Sequence, residues 1–243
     1  MYGIKNKKRG LFLQGIIDGL PICFGYLSVA FAFGISAIGS GLTALEAILI
    51  SLTNVTSAGQ VAGIGIIAAG GSLIEMAVSQ LGINLRYALM SVSLSQKLGK
   101  SISLFDRFII SFVNTDEVFG VASSRNGPVE RNYMYGLIIP PYVGWSVGTL
   151  LGAVAGNILP LSVTSALGIA VYGMFVAIVM PKAKKESAVA ICAIAAIILS
   201  CGFRYLPVIK EVPSGFAVIL CAVISSLAFA LISPLNTDRE DEQ

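Results

Sequence analysis

Long apolar segments recur along the chain from residue 11 to residue 233, and short polar stretches separate them. A bilayer core about 30 Å thick requires roughly 20 apolar residues in a helix that rises 1.5 Å per residue. The pattern therefore predicts an all-α integral membrane protein with about eight transmembrane helices. The predicted spans are residues 13–38, 43–69, 73–94, 105–123, 133–156, 161–180, 187–203 and 214–233.

Charged residues are distributed unequally between these spans. The four C-terminal spans contain none, whereas the N-terminal spans contain Asp18, Glu46, Glu75, Arg86, Asp116 and Glu117. A charge at the bilayer centre costs about 2.5 to 3.5 kcal/mol on insertion scales, so such residues must face protein or water. We therefore expect the functional chemistry within the first 125 residues, where some spans are broken or re-entrant.

Composition agrees with a membrane protein, because only 12% of the 243 residues are charged and the mean hydropathy is +0.85. Soluble domains carry about 25% charged residues. We expect a single transmembrane domain over residues 1–243, with a basic N-terminus (1–12) and an acidic tail (234–243) in the cytoplasm. Asp18 and Pro21 interrupt the first apolar run, so we expect it to be retained and not cleaved as a signal peptide.

Basic residues set the expected orientation. The N-terminus and the loop that contains Lys182, Lys184 and Lys185 should both face the cytoplasm by the positive-inside rule, so an even number of crossings separates them. The eight-span topology places Lys97 and Arg107 outside. That loop would suit the cytoplasm better if a neighbouring span were re-entrant.

Several function classes are disfavoured by residues that the chain lacks. It contains no histidine, which is the commonest general base and metal ligand. Its four cysteines lie in apolar spans without a C-x-x-C pair, so we interpret them as small hydrophobic residues. No cofactor, metal or nucleic acid is expected. A transporter is favoured over a membrane enzyme, and a channel or a non-transporting scaffold subunit is the alternative.

Arg86 lies in the nearly uncharged segment "GINLRYALM". Its planar guanidinium can bind a carboxylate through two parallel hydrogen bonds, so it is a candidate anion-binding residue. The alternative is an internal ion pair that fixes helix packing. Asp116 and Glu117 in "SFVNTDEVFG" belong to another span and are candidate partners of Arg86.

Two adjacent carboxylates in a poorly solvated place tend to share a proton, which would suit proton coupling by Asp116 and Glu117. Asp18 is a further candidate for the coupling ion. The alternative for the acidic pair is a solvated position at the end of a span.

The segment "SLTNVTSAGQ" (51–60) places six polar side chains between apolar flanks. Broken helices form binding sites in the middle of transporters, and a break near Ser57–Gly59 would expose N–H groups that favour an anion. The alternative is an unbroken helix with hydroxyls bonded to its own carbonyls. Elsewhere, Gly144, Gly148, Gly152 and Gly156 form a smooth stripe that indicates close helix packing.

The segments "GIIDGLPICFGYLSVAFAFG", "SAGQVAGIGII", "GINLRYALMSVSLS" and "FVNTDEVFG", in this order and spacing, resemble the AzlC family of branched-chain amino-acid permeases. The resemblance implies a secondary transporter that exports valine, leucine, isoleucine or similar substrates across the bacterial cytoplasmic membrane, together with a small AzlD-type membrane subunit. The family often has a histidine where this chain has Tyr87, which excludes a histidine proton relay there.

The resemblance also implies roles for individual residues. Arg86 would bind the substrate carboxylate, and Asp116 or Glu117 would meet its ammonium group or the coupling proton. Neutral hydrogen bonds around the substrate would come from Asn84, Ser57 and Gln60. An apolar pocket for the substrate side chain would use Phe24, Phe31 and Met90.

Overall fold

The structure is a computed structural model that describes residues 2–99, 102–160, 187–206 and 212–232, with a few isolated positions between 160 and 187. Within these residues the chain is helical and contains no strand. The prediction of an all-α membrane protein is confirmed. Its helices are α1 (Tyr2–Gly39), α2 (Ala44–Thr53), α3 (Ser57–Ala68), α4 (Leu73–Lys97), α5 (Leu104–Phe112), α6 (Asp116–Ser123), α7 (Arg131–Ile158), α8 (Ser187–Tyr205) and α9 (Ser214–Ile232).

Among the described residues, three helices are long and apolar enough to cross a membrane: Gly10–Gly39 of α1, α7 and α8. Helices α4 and α9 occupy two more of the predicted spans. The predicted span 161–180 lies outside the described residues, so that span stays a prediction. Residues 2–64 and 83–160 form one compact unit, while residues 65–82, 187–206 and 212–232 form a second.

A parallel pair of helices, α1 and α7, forms the centre of the first unit. A Cβ placed on Gly144 would lie 2.6 Å from the Cys23 carbonyl oxygen, and one on Gly148 would lie 2.5 Å from that of Leu27. Later residues of α7 therefore contact later residues of α1, so the two helices run in the same direction. The predicted glycine stripe serves this packing, because only glycine lets the two backbones approach so closely.

Helices α2 and α3 form a hairpin that enters from the C-terminal ends of this pair. Ala47 of α2 and Ile64 of α3 pack in one cluster with Phe33 of α1 and Ala153 of α7. The break between them, at residues 54–56, lies deeper, since Val55 packs against Trp145 in the middle of α7. The chain therefore returns to the end from which it entered.

Helices α5 and α6 form a second hairpin, which enters from the opposite end. At the start of α5, Asp106 binds Arg131 and Tyr135 in the first turns of α7. At the end of α6, the Ser123 carbonyl oxygen accepts a hydrogen bond from Lys97 Nζ. The break occupies residues 113–115.

The sequence-based expectation that residues 43–69 and 105–123 each cross the bilayer is therefore wrong. Both segments are long and apolar enough to cross, but each contains a polar break at which the chain reverses. Lys97 and Arg107 consequently lie at the same end of the first unit as Arg125 and Arg131, as hydrogen bonds between Val129 and the backbone of Lys97 and Gly99 require. The re-entrant alternative for this loop is the one that the structure adopts.

The second unit contains α8, α9, the end of α3 and the start of α4. Glu75, which is 5% exposed, accepts a hydrogen bond of 2.9 Å from the Gly215 N–H in the first turn of α9. A carboxylate is stabilised at a helix N-terminus by the unpaired N–H groups and the helix dipole. Glu75 is thus accounted for as a cap of α9.

Candidate functional site

The two helix breaks lie at the same level of the α1–α7 pair, although their hairpins enter from opposite ends. The first break contacts Trp145, and the hydroxyl of Tyr142 donates a hydrogen bond of 2.9 Å to the Leu52 carbonyl oxygen. The second break follows Phe112, whose ring packs edge-on against Tyr142 with centroids 6.2 Å apart. Tyr142 therefore contacts both hairpins near their tips.

Each break carries a threonine that caps the following half-helix. Thr56 Oγ1 accepts a hydrogen bond from the Gly59 N–H, and Thr115 Oγ1 accepts one from the Val118 N–H. The predicted break near Ser57 is present, and the half-helix α3 begins at that residue. The two half-helix N-termini provide positive dipole ends in the middle of the first unit.

Arg86 and Asp116 form an ion pair. Arg86 Nη2 lies 2.9 Å from Asp116 Oδ2 and also donates a hydrogen bond of 3.2 Å to the hydroxyl of Tyr87. The guanidinium carbon lies 4.9 Å from the centroid of the Tyr87 ring. A planar cation is thus held between an aromatic face and a carboxylate at the start of α6. The sequence-based expectation that these two residues meet agrees with this geometry.

The position and exposure of this ion pair are unusual for a helix that crosses a bilayer. Arg86 lies at the middle of α4, yet the side chains of Arg86 and Asp116 are 50% and 45% exposed in the described chain. Charges at membrane depth face a water-filled cavity or another protein surface and not lipid. The exposed half of each side chain is therefore expected to face a water-filled cavity or another protein surface.

Glu117 has a different partner from its neighbour Asp116. Its Oε2 accepts a hydrogen bond from the hydroxyl of Tyr26 on α1. The Tyr26 ring packs edge-on against Trp145, with centroids 5.3 Å apart. The adjacent carboxylates are consequently separated: Asp116 pairs with a cation on α4, and Glu117 is held by a neutral donor on α1.

Gln60 lies inside the first hairpin and is 1% exposed. Its Nε2 donates hydrogen bonds to the Asn54 carbonyl oxygen (2.8 Å) and to Ser51 Oγ (3.1 Å), and Ser51 Oγ lies 2.7 Å from Thr149 Oγ1. Gln60 thereby ties α3 to the break and to the end of α2. Its Oε1 has no hydrogen-bond partner in the structure.

Asn84 joins the first hairpin to α4. Its Oδ1 accepts a hydrogen bond of 2.8 Å from Thr56 Oγ1, and it lies two residues before Arg86. Ser57 follows Thr56 at the start of α3. The structure therefore places Ser57 and Asn84 at the first break and the Arg86–Asp116 pair at the second. Helix α4 contacts both breaks, through Asn84 and Arg86.

Asp18 lies apart from this group. Its Oδ2 accepts a hydrogen bond of 2.7 Å from the hydroxyl of Tyr133 and lies 3.6 Å from Arg125 Nη1. It is eight residues before Tyr26 on α1, which corresponds to about 12 Å along a helix. These contacts connect the start of α7 to α1, and the coupling role of Asp18 stays a prediction.

Several residues at the site were not identified from the sequence. Tyr26, Trp145 and Thr149 sit in apolar spans and carry no signal of their own. Asn114 lies in the segment "FVNTDEVFG", where the neighbouring charged residues carry the stronger signal of function. Each break consists of an asparagine and a valine followed by a threonine, in the order "NVT" at 54–56 and "VNT" at 113–115.

Comparisons with known proteins agree with these features. The profile of the family described as AzlC protein matches residues 21–159. The inner membrane protein YgaZ of Escherichia coli strain K12 is 29% identical over 189 residues, which cover 75% of this chain and 77% of that protein. An uncharacterized membrane protein of Archaeoglobus fulgidus is 34% identical over 179 residues, which cover 73% of this chain and 78% of that protein. No solved structure matches the chain.

The family profile includes both re-entrant hairpins, the Arg86–Asp116 pair and α7. It covers more than half of the chain. These similarities show that the chain is a membrane protein that belongs to the AzlC family.

Proposed function

We propose that this protein is a secondary transporter that exports branched-chain amino acids, with methionine and related analogues as further substrates. It would act as the large subunit of a two-component permease, together with a small AzlD-type membrane subunit. The observation that carries the proposal is the accessible Arg86–Asp116 pair in the middle of α4, next to two helix breaks. Membership of a family with transport-related members supports the same function.

The geometry suggests how a zwitterion would bind. Its carboxylate replaces Asp116 as the partner of Arg86, and its ammonium group pairs with the released Asp116. Each charge then keeps an opposite partner, so no uncompensated charge is created at membrane depth. The guanidinium favours a carboxylate because it offers two parallel donors.

Coupling to an ion gradient is assigned to Glu117. This carboxylate is already bonded to Tyr26, so binding of substrate between Arg86 and Asp116 leaves it in place. A proton on Glu117 would change its bond to α1 without competing for the substrate. We therefore assign Asp116, the partner of Arg86, to substrate binding and Glu117, the partner of Tyr26, to coupling.

The orientation follows from the basic residues. Lys97, Arg107, Arg125 and Arg131 lie at the end of the first unit at which α1 and α7 begin. The basic N-terminal segment forms the first turns of α1 at the same end. The positive-inside rule assigns this end to the cytoplasm, with the chain in the bacterial cytoplasmic membrane.

Counterflow of labelled leucine in proteoliposomes, with and without the small subunit, tests this function. We expect unlabelled leucine inside the vesicles to accelerate uptake of labelled leucine when both subunits are present. A channel or a scaffold subunit would show no such acceleration. The absence of counterflow for every aliphatic amino acid in the complete complex would refute the proposal.

A further inference from the structure

An open cavity of about 260 Å³ lies between the C-terminal half of α4 and α5, and Val92 and Phe108 in its wall are 61% and 67% exposed. Two hydrogen bonds join these helices along it: Arg107 Nη1 donates to the Ser95 carbonyl oxygen (3.2 Å), and Asn114 Nδ2 donates to Ser91 Oγ (3.1 Å). The wall is mostly apolar. It includes Val92, Leu94, Phe108 and Ile110, with Ser111.

The Asn114 end of this cavity points along the chain toward the ion pair. The two hydrogen bonds show that α4 and α5 are antiparallel, because Ser95 follows Ser91 whereas Arg107 precedes Asn114. Ser91 lies five residues after Arg86, and Asn114 lies two residues before Asp116. Both walls therefore lead away from the ion pair in the same direction.

Asn114 provides an independent sign of a ligand. It lines the cavity and is only 4% exposed, and its Oδ1 has no hydrogen-bond partner. A buried acceptor without a donor is destabilising, and such groups in native proteins call for an explanation. An ammonium group held beside Asp116 would supply a donor at this end of the cavity.

We infer that the cavity receives the aliphatic side chain of the transported amino acid, and that Ile110 and Leu94 set its size. This inference rests on the proposed function. Ile110 and Leu94 are 1% and 2% exposed, so they form fixed parts of the wall. A cavity of about 150 Å³ accepts benzene, so this one accommodates a four-carbon branched chain. Phe24, Phe31 and Met90, expected from the resemblance to line the pocket, do not line this cavity.

Large-to-small variants test the inference. Ile110→Ala enlarges the cavity, whereas Ile138→Ala makes the same change in the same core cluster away from it. We expect counterflow of phenylalanine relative to leucine, in the complete complex, to rise about tenfold in Ile110→Ala and to stay unchanged in Ile138→Ala. One methylene in an apolar pocket changes discrimination by about 10- to 200-fold.

A small-to-large variant keeps the test valid if Ile110→Ala does not fold. Ser95 lines the cavity, and its hydroxyl bonds only within α4, to the Val92 carbonyl oxygen. Ser95→Leu should therefore slow counterflow of leucine and spare that of alanine.

Two results would show that the cavity is filled by lipid and not by substrate. One is an equal ratio of phenylalanine to leucine counterflow in Ile110→Ala and Ile138→Ala. The other is equal slowing of leucine and alanine counterflow by Ser95→Leu. Either result overturns the inference while leucine transport by the wild type stands. A wild type that exchanges no amino acid overturns the proposed function, and the inference with it.

Discussion

At the scale of single residues, the site combines charged residues that can be identified from the sequence with aromatic partners that cannot. Arg86 and Asp116 are identifiable because a charge in an apolar span is energetically costly and therefore indicates a functional or paired residue. Their pairing was one of two alternatives until the structure placed the side chains 2.9 Å apart. Tyr26 and Trp145 could not be found in this way, because an aromatic residue in an apolar span is ordinary and its contacts depend on how distant helices pack.

Glu117→Gln tests the assignment of the coupling role. The amide keeps the size of the side chain and can still accept a hydrogen bond from Tyr26, but it cannot bind a proton. We expect leucine counterflow to persist while export ceases to respond to an imposed pH gradient. Glu46→Gln is the control, since Glu46 also lies in the first turn of a half-helix and only caps α2. Unaltered gradient dependence in Glu117→Gln would remove Glu117 from coupling.

At the scale of elements, hydropathy alone did not distinguish a crossing helix from a re-entrant hairpin. Residues 43–69 and 105–123 are apolar and long enough to span, which is why both were predicted to cross. The breaks at 54–56 and 113–115 reverse the chain, and their position is fixed by capping threonines and by contacts with Tyr142 and Trp145. Only the first break was anticipated, because its run of polar residues is longer.

Packing of α1 on α7 is tested by two glycines of α1. A Cβ on Gly19 would lie 2.6 Å from the Leu137 carbonyl oxygen, whereas one on Gly25 would meet nothing within 4 Å. Gly19→Ala should lower the free energy of unfolding by about 1 to 3 kcal/mol through overpacking. Gly25→Ala should leave it unchanged or raise it by up to about 1 kcal/mol through helix propensity. Thermal unfolding in detergent measures both, and equal stability of the two variants would contradict the parallel packing.

At the scale of the whole molecule, the first unit is a parallel helix pair that receives one hairpin from each end. This arrangement brings two half-helix starts to one level, a feature that transporters use to build sites in the middle of the bilayer. The prediction of an all-α membrane protein with broken or re-entrant elements in its N-terminal half was obtained from the sequence. The direction of each hairpin was not, because it depends on contacts between residues far apart in the chain.

Cysteine labelling tests this arrangement in a variant without the four native cysteines. Gly99→Cys and Ser124→Cys flank the second hairpin, and we expect an impermeant maleimide to reach both from the cytoplasmic side only. Ser40→Cys, at the C-terminal end of α1, should react from the other side. Labelling of Gly99→Cys and Ser124→Cys from opposite sides would show that α5 and α6 cross the membrane together.

The central claim is that Arg86 and Asp116 separate to bind the two ends of an amino acid. Counterflow of labelled leucine by Arg86→Lys tests it most directly, with Arg204→Lys near the end of α8 as the matched control. A hydrogen bond to a charged group contributes about 1.5 to 3 kcal/mol, so loss of the paired donors should slow counterflow by about tenfold to a hundredfold. The account predicts this loss in a variant that still inserts and assembles, with the control unaffected. Wild-type counterflow in Arg86→Lys would contradict it.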